Sequence, residues 1–389
     1  MLKTKIAITS LASLSPLGNT PEVIWNNYLS PKTLITAKEF NGKSQFLATI
    51  PAIIRKQIDG LRKEHSKYKA LDETVLMAIL TSRKAIENAG WQKGDAFGIN
   101  IGSSRGATQL FEKFHQEFLE TGKTATLTSP TTTLGNISSW IAHDLKSRGP
   151  EISHSITCST ALHAILNAVA WLQSGMATKF LVGGSEAPLT AFTLAQMQAL
   201  KIYANEQHDF PCRAFDLTKS KNTMVLGEGS AMACLELGEK ENALGYITGI
   251  GYATDELEHN ISISNEAICF QKSMMMALNN IPLDEVDVIV MHTPGTVKGD
   301  TSEYKAIQLL FSNNLPMLTT NKWKIGHTFG ASGILSLEFA LMMMQQNTFV
   351  GIPYVFEPNP RKNIRNVLIN AVGFGGNAVS VIVSKVFDE

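Results

Sequence analysis

The stretch Ile156-Thr-Cys-Ser-Thr-Ala161 places a cysteine between a predicted strand and a predicted helix. Residues Ser153–Thr157 are predicted to form a short strand, and from Cys158 to Gln173 apolar residues recur at the spacing of a helix. Free backbone N–H groups and the helix dipole at such a junction favour a thiolate and are able to hold an oxyanion. The pattern therefore predicts a nucleophile at Cys158, although an isolated buried cysteine is more often structural.

Strands and helices alternate on both sides of this stretch, which predicts an α/β fold. The predicted strands are Lys5–Leu11, Phe97–Gly102, Phe180–Gly184, Tyr246–Gly251, Val286–Met291, Val367–Val372 and Ala378–Val386, and the predicted helices include Asp72–Gly90 and Ile334–Met344. Tyr246–Gly251 resembles the opening strand Lys5–Leu11 in position and character. We therefore expect a pseudo-duplicated chain whose halves, 1–242 and 243–389, pack as one unit.

Composition limits the classes of function. The 389 residues are 44% hydrophobic, and 34 basic residues balance 34 acidic ones, so bulk charge does not indicate binding to nucleic acid. No apolar run is long enough to span a bilayer and the N-terminus does not resemble a signal peptide, so we expect a cytoplasmic protein. Cys212, Cys234 and Cys269 lack metal-ligand spacing and are expected to be structural, and no metal site is expected.

Two later segments place histidines in loops that are rich in glycine and threonine. They are His292-Thr-Pro-Gly-Thr-Val-Lys-Gly-Asp300 and Lys322-Trp-Lys-Ile-Gly-His-Thr-Phe-Gly-Ala-Ser-Gly333. Each segment is predicted to follow a strand and to place its histidine at the strand end. A thiol that holds an acyl group, with two imidazoles that stabilise charge on a second substrate, suits acyl-thioester chemistry. His154 and His163, which flank Cys158, are expected to be packing residues.

The turn Gly373-Phe-Gly-Gly-Asn377 precedes a predicted strand. It lacks the Lys-Ser/Thr ending of a phosphate loop and no helix follows it, so a nucleotide site is a poor interpretation. A turn that lets the Phe374 backbone N–H face a site fits better.

Taken together, these motifs resemble the elongating β-ketoacyl-acyl carrier protein synthases of the thiolase superfamily over nearly the whole chain. The resemblance begins at Ile6-Ala-Ile-Thr-Ser-Leu-Ala-Ser-Leu-Ser-Pro-Leu-Gly18 and continues through Cys158-Ser-Thr and Gly227-Glu-Gly229 to the later motifs. It implies a five-layer αβαβα fold in two similar halves. It also implies a decarboxylating Claisen condensation that needs no cofactor, because the substrate is carried on the phosphopantetheine of acyl carrier protein.

The resemblance also implies a role for each matching residue. Cys158 would take the acyl chain, His292 and His327 would assist malonyl decarboxylation, Lys322 would tune the site, and the Phe374 N–H would join that of Cys158 in the oxyanion hole. The supporting residues would be the buried Glu228 and the structural pair Asp300 and Glu303, and the substrate-binding residues would be Thr296 and Gly375. Initiating synthases of the same fold use His and Asn, so the two histidines indicate the elongating subclass.

The chain departs from the family pattern in three places. Pro294 replaces a threonine in the family's His-Gly-Thr-Gly-Thr, Thr157 stands where alanine is usual, and residues 216–224 replace Asp-x-x-Arg-Asp-Gly-Phe with an apparent insertion. These changes indicate a specialised synthase of a fatty acid, polyketide or polyene pathway.

Partners are also implied by the resemblance. The basic cluster Arg55, Lys56, Arg62, Lys63, Lys67 and Lys69 lies in the family's carrier-docking region, and Arg62, Lys63, Lys67 and Lys69 are the predicted docking residues. A solvated helix face is the alternative interpretation of such a run. We expect a homodimer, or a heterodimer with a related synthase-like subunit, and the segment after Thr124 would lie near the partner.

Two other functions remain open from the sequence. One is the silent subunit of a synthase heterodimer, similar to chain-length factors, although such subunits typically lose the nucleophile and this chain keeps Cys158. The other is a thiolase-type enzyme that acts on coenzyme A esters without decarboxylation, against which the His292/His327 pair with Lys322 argues.

Overall fold

A computed structural model gives the architecture for residues 2–40, 42–134, 136–206, 208–256, 264, 266–279, 281–312, 314–356 and 363–385. The strands are β1 (Ile6–Leu14), β2 (Thr36–Phe40), β3 (Lys43–Ala48), β4 (Gly98–Gly102), β5 (Glu151–Ile152), β6 (Lys179–Glu186), β7 (Leu226–Gly227), β8 (Gly229–Leu237), β9 (Gly245–Thr254), β10 (Val288–Val290), β11 (Met317–Thr319), β12 (Asn366–Gly373) and β13 (Asn377–Ser384). The α-helices are α1 (Pro21–Leu29), α2 (Ala52–Glu64), α3 (Glu73–Asn88), α4 (Thr108–Thr121), α5 (Thr128–Thr132), α6 (Asn136–Leu145), α7 (Thr160–Gln173), α8 (Ala191–Ala199), α9 (Ile268–Leu278), α10 (Val297–Phe311), α11 (Lys322–Ile325) and α12 (Ser332–Gln345). Single 3₁₀ turns lie at Ser66–Tyr68, Leu283–Glu285 and Phe329–Ala331.

Two five-stranded sheets have the same topology. The first has the order β1-β8-β6-β4-β5 and the second the order β9-β13-β12-β10-β11. In each, three strands run parallel and the remaining two pair antiparallel at one side of the sheet. The order of elements along the chain is therefore repeated, which confirms the predicted pseudo-duplication of the fold.

The layers stack as α, β, α, β, α. Helices α7 and α12 pack against each other between the two sheets, α3 covers the outer face of the first sheet, and α9 covers the outer face of the second. Nearly every side chain of α12 is buried, as expected for a helix that is surrounded by other layers. The five-layer arrangement predicted for the chain is confirmed.

Most predicted elements are confirmed, with small differences at their ends. Helix α3 begins after Asp72, whose carboxylate accepts from the Thr74 N–H at 2.9 Å, and Gly90 follows its end with a φ of 72°. The predicted strand Ala378–Val386 corresponds to β13 as far as Ser384, and Val386 lies outside the described residues.

The predicted strand Ser153–Thr157 is wrong. Strand β5 pairs with β4 only through Glu151 and Ile152. Beyond it the chain leaves the sheet, because the Ser153 hydroxyl accepts from the Ser138 N–H at 3.1 Å and the His154 ring bonds Asn100 Oδ1 at 2.9 Å. The apolar-to-polar pattern at this point indicates a turn and not a continued strand.

The prediction that His327 lies at the end of a strand is also wrong. Strand β11 ends at Thr319, and the short helix α11 lies between it and His327. Gly326, with a φ of 68°, then turns the backbone so that His327 pairs with Leu226 of the first half. A Cβ at Gly326 would lie 2.8 Å from the Val225 carbonyl oxygen, so this crossing requires glycine.

Candidate active site

Cys158 lies in a tight turn just before α7. Thr157 precedes it with a φ of 46°, a left-handed conformation that costs about 1–2 kcal/mol for a residue with a Cβ. The Thr160 hydroxyl holds this turn, since it accepts from the Ile156 N–H at 2.9 Å and donates to the Thr157 carbonyl at 2.6 Å. The nucleophile is thus positioned by local strain and by hydrogen bonds from the first turn of the helix.

The two histidines that flank Cys158 along the chain, His154 and His163, are not catalytic. The second ring nitrogen of His154 bonds the Thr160 carbonyl at 3.0 Å, so His154 ties β4 to the nucleophile turn. The ring of His163 bonds the Ser159 carbonyl at 3.2 Å. Both histidines serve the packing of the turn.

One cavity of about 270 Å³ brings Cys158, His292, His327 and Phe374 together. The rest of its wall consists of Met197, Ile202, Asn222, Met224, Pro294, Thr296, Lys298, Gly299, Phe329, Val372 and Gly373. Both halves of the chain contribute, and the wall is mostly apolar with a few reactive groups. Such a cavity excludes water from a reacting centre and strengthens the electrostatic interactions inside it.

His292 and His327 face each other almost at right angles. Their ring centroids are 5.3 Å apart with an interplanar angle of 88°. Both side chains are buried, and the Nδ1 atom of each is buried without a hydrogen-bond partner among the described residues. Glu303 fixes the loop of the first histidine, because its carboxylate accepts from the backbone N–H groups of His292 and Thr293 at 2.9 and 2.8 Å.

Burial makes both imidazoles neutral at pH 7. Desolvation lowers the pKa of His292 well below its usual range, and electrostatic repulsion between its charged form and the neighbouring His327 and Lys322 lowers it further. Desolvation and the Lys322 charge lower the pKa of His327 to about 3. A neutral imidazole donates one N–H, so the pair is suited to hydrogen bonding with a developing oxyanion and not to proton storage.

Lys322 supplies the buried charge of the site. It is 1% exposed, and its Nζ donates to Asn321 Oδ1 at 3.4 Å. Burial lowers the pKa of Lys322 to about 8, while the Glu303 carboxylate acts in the opposite direction. Lys322 disfavours protonation of the two histidines, which is how it keeps them neutral.

The expected thiolate at Cys158 is wrong for the free protein. Burial raises the pKa of the thiol to about 12, and the neighbouring Glu186 adds to this, whereas Lys322 and Arg105 act in the opposite direction. Desolvation is the largest cause of the shift, since Cys158 is only 6% exposed. The resting group is a neutral thiol, so its proton must leave during the reaction.

The carboxylates that were predicted to support the site accept hydrogen bonds from backbone N–H groups. Glu228 is buried, accepts from the Ile50 N–H at 3.0 Å and pairs with Arg55 at 2.6 Å. Asp300 accepts from the N–H groups of Gly295 and Phe215 at 3.0 and 2.8 Å. Lys219, in the altered 216–224 loop, pairs with Asp300 at 2.6 Å with both side chains buried. Lys219 is the basic residue at the position of the family's arginine.

The two residues predicted to bind substrate have different settings. Thr296 lies in the cavity wall and caps α10, its hydroxyl accepting from the Gly299 N–H at 3.1 Å. Gly375 lies in the turn between β12 and β13 with a φ of 94° and is not part of the described cavity wall. The turn itself adjoins the nucleophile, since a Cβ on Gly373 would lie 1.8 Å from Thr157 Oγ1.

The basic cluster is only partly free. Arg55 pairs with Glu73 and Glu228, and Arg62 donates to the Leu71 carbonyl at 2.8 Å. Lys63, Lys67 and Lys69 are exposed around the end of α2. Arg55 therefore serves the fold, whereas the three lysines are available to a partner.

Sequence reasoning missed Glu186 and Arg105. The Glu186 carboxylate accepts from the backbone N–H groups of Ser104, Arg105 and Gly330, which joins the loop after β4 to the loop after His327. Burial raises the pKa of Glu186 to about 7. The available signal was a glutamate two residues after the Gly-Gly pair at 183–184, at the end of a buried strand.

Two family models match the chain over most of its length. The model of the beta-ketoacyl synthase N-terminal domain matches residues 3–241, and that of the beta-ketoacyl synthase C-terminal domain matches residues 244–353. The chain belongs to the beta-ketoacyl synthase family. It is an enzyme of the acyltransferase class. The predicted resemblance to the β-ketoacyl-acyl carrier protein synthases is therefore confirmed.

Curated relatives span the whole chain. The chain is 27% identical over 416 residues to 3-oxoacyl-[acyl-carrier-protein] synthase 2 of Coxiella burnetii, with 100% of both chains covered. It is 26% identical over 412 residues to 3-oxoacyl-[acyl-carrier-protein] synthase 1 of Buchnera aphidicola, covering 98% of this chain and 99% of that protein.

Solved structures share the fold at lower identity. The ishigamide ketosynthase/chain length factor matches with a TM-score of 0.86 at 17% identity, covering 99% of this chain and 100% of that one. The ketosynthase ApeO in complex with its chain length factor ApeC from Xenorhabdus doucetiae matches with a TM-score of 0.78 at 20% identity, covering 98% of each chain. At these identities the likeness establishes the fold alone.

Two further findings concern the described part of the chain. None of its helices combines the length and the apolar character that crossing a membrane requires. No group of three or more histidine, cysteine, aspartate or glutamate side chains is arranged there to bind a metal ion.

Proposed function

We propose that this enzyme condenses an acyl chain held on Cys158 with malonyl-acyl carrier protein, releasing carbon dioxide and giving β-ketoacyl-acyl carrier protein. The observation that carries the proposal is the single 270 Å³ cavity shared by Cys158, His292 and His327. A thiol alone would serve many acyl transfers. Two neutral, buried imidazoles in the same cavity can donate hydrogen bonds to the enolate oxygen that develops during decarboxylation.

Acyl transfer comes first. The Cys158 sulfur attacks the thioester carbonyl of the incoming acyl carrier, a C–S bond to Cys158 forms, and the bond to the pantetheine sulfur breaks. The thiol proton ends on the departing pantetheine thiolate. The backbone N–H groups of Cys158 and Phe374 are proposed to bind the tetrahedral oxyanion, because the turn that contains Phe374 adjoins Thr157.

Decarboxylation and condensation follow. The malonyl carboxylate leaves as carbon dioxide, and its electron pair passes into an enolate of the malonyl thioester. His292 and His327 donate N–H groups to the enolate oxygen. The enolate carbon then attacks the acyl carbonyl on Cys158, the new C–C bond forms, and the C–S bond breaks. The Cys158 sulfur leaves as a thiolate and takes up a proton from solvent water.

The pantetheine arm is proposed to enter from a cleft of about 850 Å³ that adjoins the catalytic cavity. The two share Asn222 and Lys298, and Lys201 and Lys221 also line the cleft. Lysines at such a mouth suit the phosphate of the arm and an acidic carrier protein. Two relatives are named as acyl-carrier-protein synthases, and a similar fold was solved with its carrier protein in the AntDE:AntF complex.

The same comparisons support a proposal for the pathway and the partner. Several similar structures are ketosynthases of polyketide systems or complexes with chain length factors, which favours a specialised polyketide or fatty acid pathway and a related subunit as partner. The retained Cys158 favours an active subunit over a silent one. We expect the protein to sediment as a dimer, alone or with that subunit.

Malonyl-carrier protein labelled at the free carboxyl tests the reaction. Release of labelled carbon dioxide, together with a β-ketoacyl product from acylated enzyme, supports the proposal. Exchange of acetyl-coenzyme A without release of carbon dioxide would instead favour a thiolase-type enzyme. Failure to form acyl-enzyme in the presence of the partner subunit would favour a silent subunit.

A further inference from the structure

Arg105 lies beside the catalytic cavity but has no part in the reaction described above. It belongs to the loop between β4 and α4, and its guanidinium carbon lies 5.8 Å from the centroid of the Phe329 ring. Phe329 is part of the wall around Cys158, and its ring centroid lies 5.5 Å from that of His327. Only one aromatic ring therefore separates the guanidinium from the reacting groups.

The guanidinium lacks an anionic partner. Its Nη2 donates to Thr193 Oγ1 at 3.4 Å and to Gln196 Oε1, both on α8. Its Nε is buried and has no hydrogen-bond partner in the described part of the chain, where no carboxylate oxygen lies within 4.0 Å of it. A buried donor of this kind is costly unless something accepts from it.

Other partly buried arginines are satisfied differently. Arg55, Arg83 and Arg213 each pair with at least one carboxylate. The Glu186 carboxylate accepts from the backbone N–H group of Arg105 and from those of Ser104 and Gly330. Arg105 is thus held in place by neutral acceptors while one of its donors is left open.

A second cavity, of about 230 Å³, adjoins this guanidinium. Its wall includes Arg105, Thr108, Thr132 and the rings of Phe111 and Phe192. The one carboxylate in the wall, that of Glu112, accepts from the Thr190 hydroxyl at 2.6 Å. The space next to Arg105 is therefore apolar on one side and offers a cationic donor on the other.

We propose that Arg105 is a specificity-determining residue that donates a hydrogen bond to an oxygen carried by the acyl chain on Cys158. Phe329 lines the catalytic cavity and lies against the guanidinium, so an acyl chain that passed this ring would meet Arg105. A plain alkyl chain would leave the buried Nε donor without a partner, whereas a hydroxyl, carbonyl or carboxylate oxygen would satisfy it. The inference rests on the proposed function, since it concerns the acyl group of that reaction.

Transfer of matched acyl groups from pantetheine thioesters to Cys158 tests this role. Three chains of equal length would be compared by intact-protein mass spectrometry: an alkyl chain, one with a distal hydroxyl or keto oxygen, and one with a distal carboxylate. The wild-type protein should favour the oxygenated chains. Arg105→Met should slow their transfer by roughly 10- to 100-fold and speed that of the alkyl chain. Arg105→Lys should retain part of the preference.

Controls separate this role from others. Lys113→Met removes an exposed positive charge from α4 and should leave the preference unchanged. The pH profile of Cys158 alkylation by iodoacetamide reports whether Arg105→Met acts only through the thiol. Equal slowing of all three chains by Arg105→Met, or a wild-type preference for the alkyl chain, would overturn the inference. If no thioester acylates Cys158 in the wild-type protein, the proposed function itself fails.

Discussion

At the scale of single residues, burial has opposite consequences for the thiol and the imidazoles. It raises the pKa of Cys158 and lowers the pKa values of His292 and His327, so all three groups are neutral at pH 7. A neutral thiol and two neutral imidazoles can receive a thioester without displacing a counter-ion from any of the three groups. Charge then develops on the substrate, where the imidazole N–H groups and Lys322 can stabilise it.

The thiol and the histidines are therefore expected to have separable roles. Cys158→Ala should abolish acyl-enzyme formation but leave malonyl decarboxylation measurable. His292→Ala and His327→Ala should each lower the rate of decarboxylation by ~10²–10³-fold, because each removes one donor to the enolate oxygen. Release of labelled carbon dioxide and mass spectrometry of the acyl-enzyme measure the two steps, and normal turnover in either histidine variant would contradict the mechanism.

A partly buried neutral histidine also makes the fold sensitive to acid. Burial lowers the pKa of His163 from 6.5 to about 4. As pH falls, the unfolded chain therefore binds a proton at His163 before the folded chain does. The contribution of neutral His163 to stability is complete above pH 6.5 and is lost as pH falls towards 4. His163→Gln should remove roughly 2–3 kcal/mol of the decrease in unfolding free energy across that range.

Urea unfolding between pH 7 and pH 4 measures this slope. The matched control is His115→Gln, because His115 lies on an exposed face of α4. If the two variants have the same slope as the wild type, the neutral buried state of His163 is contradicted.

At the scale of elements, the altered 216–224 loop depends on one buried ion pair. Lys219 and Asp300 are 2.6 Å apart, with side-chain exposures of 4% and 0%. Lys219→Ala would leave the Asp300 carboxylate buried without its cation, which should lower the free energy of unfolding by about 3–5 kcal/mol. Asp300 also holds Gly295 in the His292 loop, so activity should fall as well.

Lys221→Ala is the matched control for that variant. Lys221 lies two residues further along the same loop and pairs with Glu206, but both side chains are more than 60% exposed. Its loss should change the free energy of unfolding by less than about 1 kcal/mol. Equal effects of the two substitutions in chemical denaturation would contradict a structural role for the buried pair.

The positions of the helices and strands also explain how much of the site could be predicted from the sequence. Cys158, His292 and Phe374 could be located because each lies in a local motif next to a strand or helix, and periodicity reports such neighbours. The end of β5 at Ile152 and the backbone crossing at Gly326 depend on partners that are distant in sequence. Glu186 and Arg105 were missed for the same reason, since their significance lies in contacts between different loops.

At the scale of the whole molecule, basic and acidic residues balance each other. A local basic surface is therefore a stronger indication of an acidic partner. Lys63, Lys67 and Lys69 are exposed near the end of α2, whereas Arg55 is used within the fold. An acidic carrier protein would be steered to such a surface. The same surface would be unimportant for a small thioester, which has no protein to dock.

Charge reversal on this surface should therefore affect one substrate and not the other. Lys63→Glu with Lys67→Glu should raise the apparent KM for carrier-bound substrate and leave activity with a pantetheine thioester nearly unchanged. The difference should shrink as salt rises, because exposed charges are screened over about 10 Å at 0.1 M. Lys3→Glu with Lys272→Glu, two exposed lysines elsewhere, makes the same change in net charge and is the matched control. Equal losses with both substrates, or an equal effect of the control pair, would remove this surface from carrier docking and leave the lysines at the mouth of the 850 Å³ cleft as the remaining candidates.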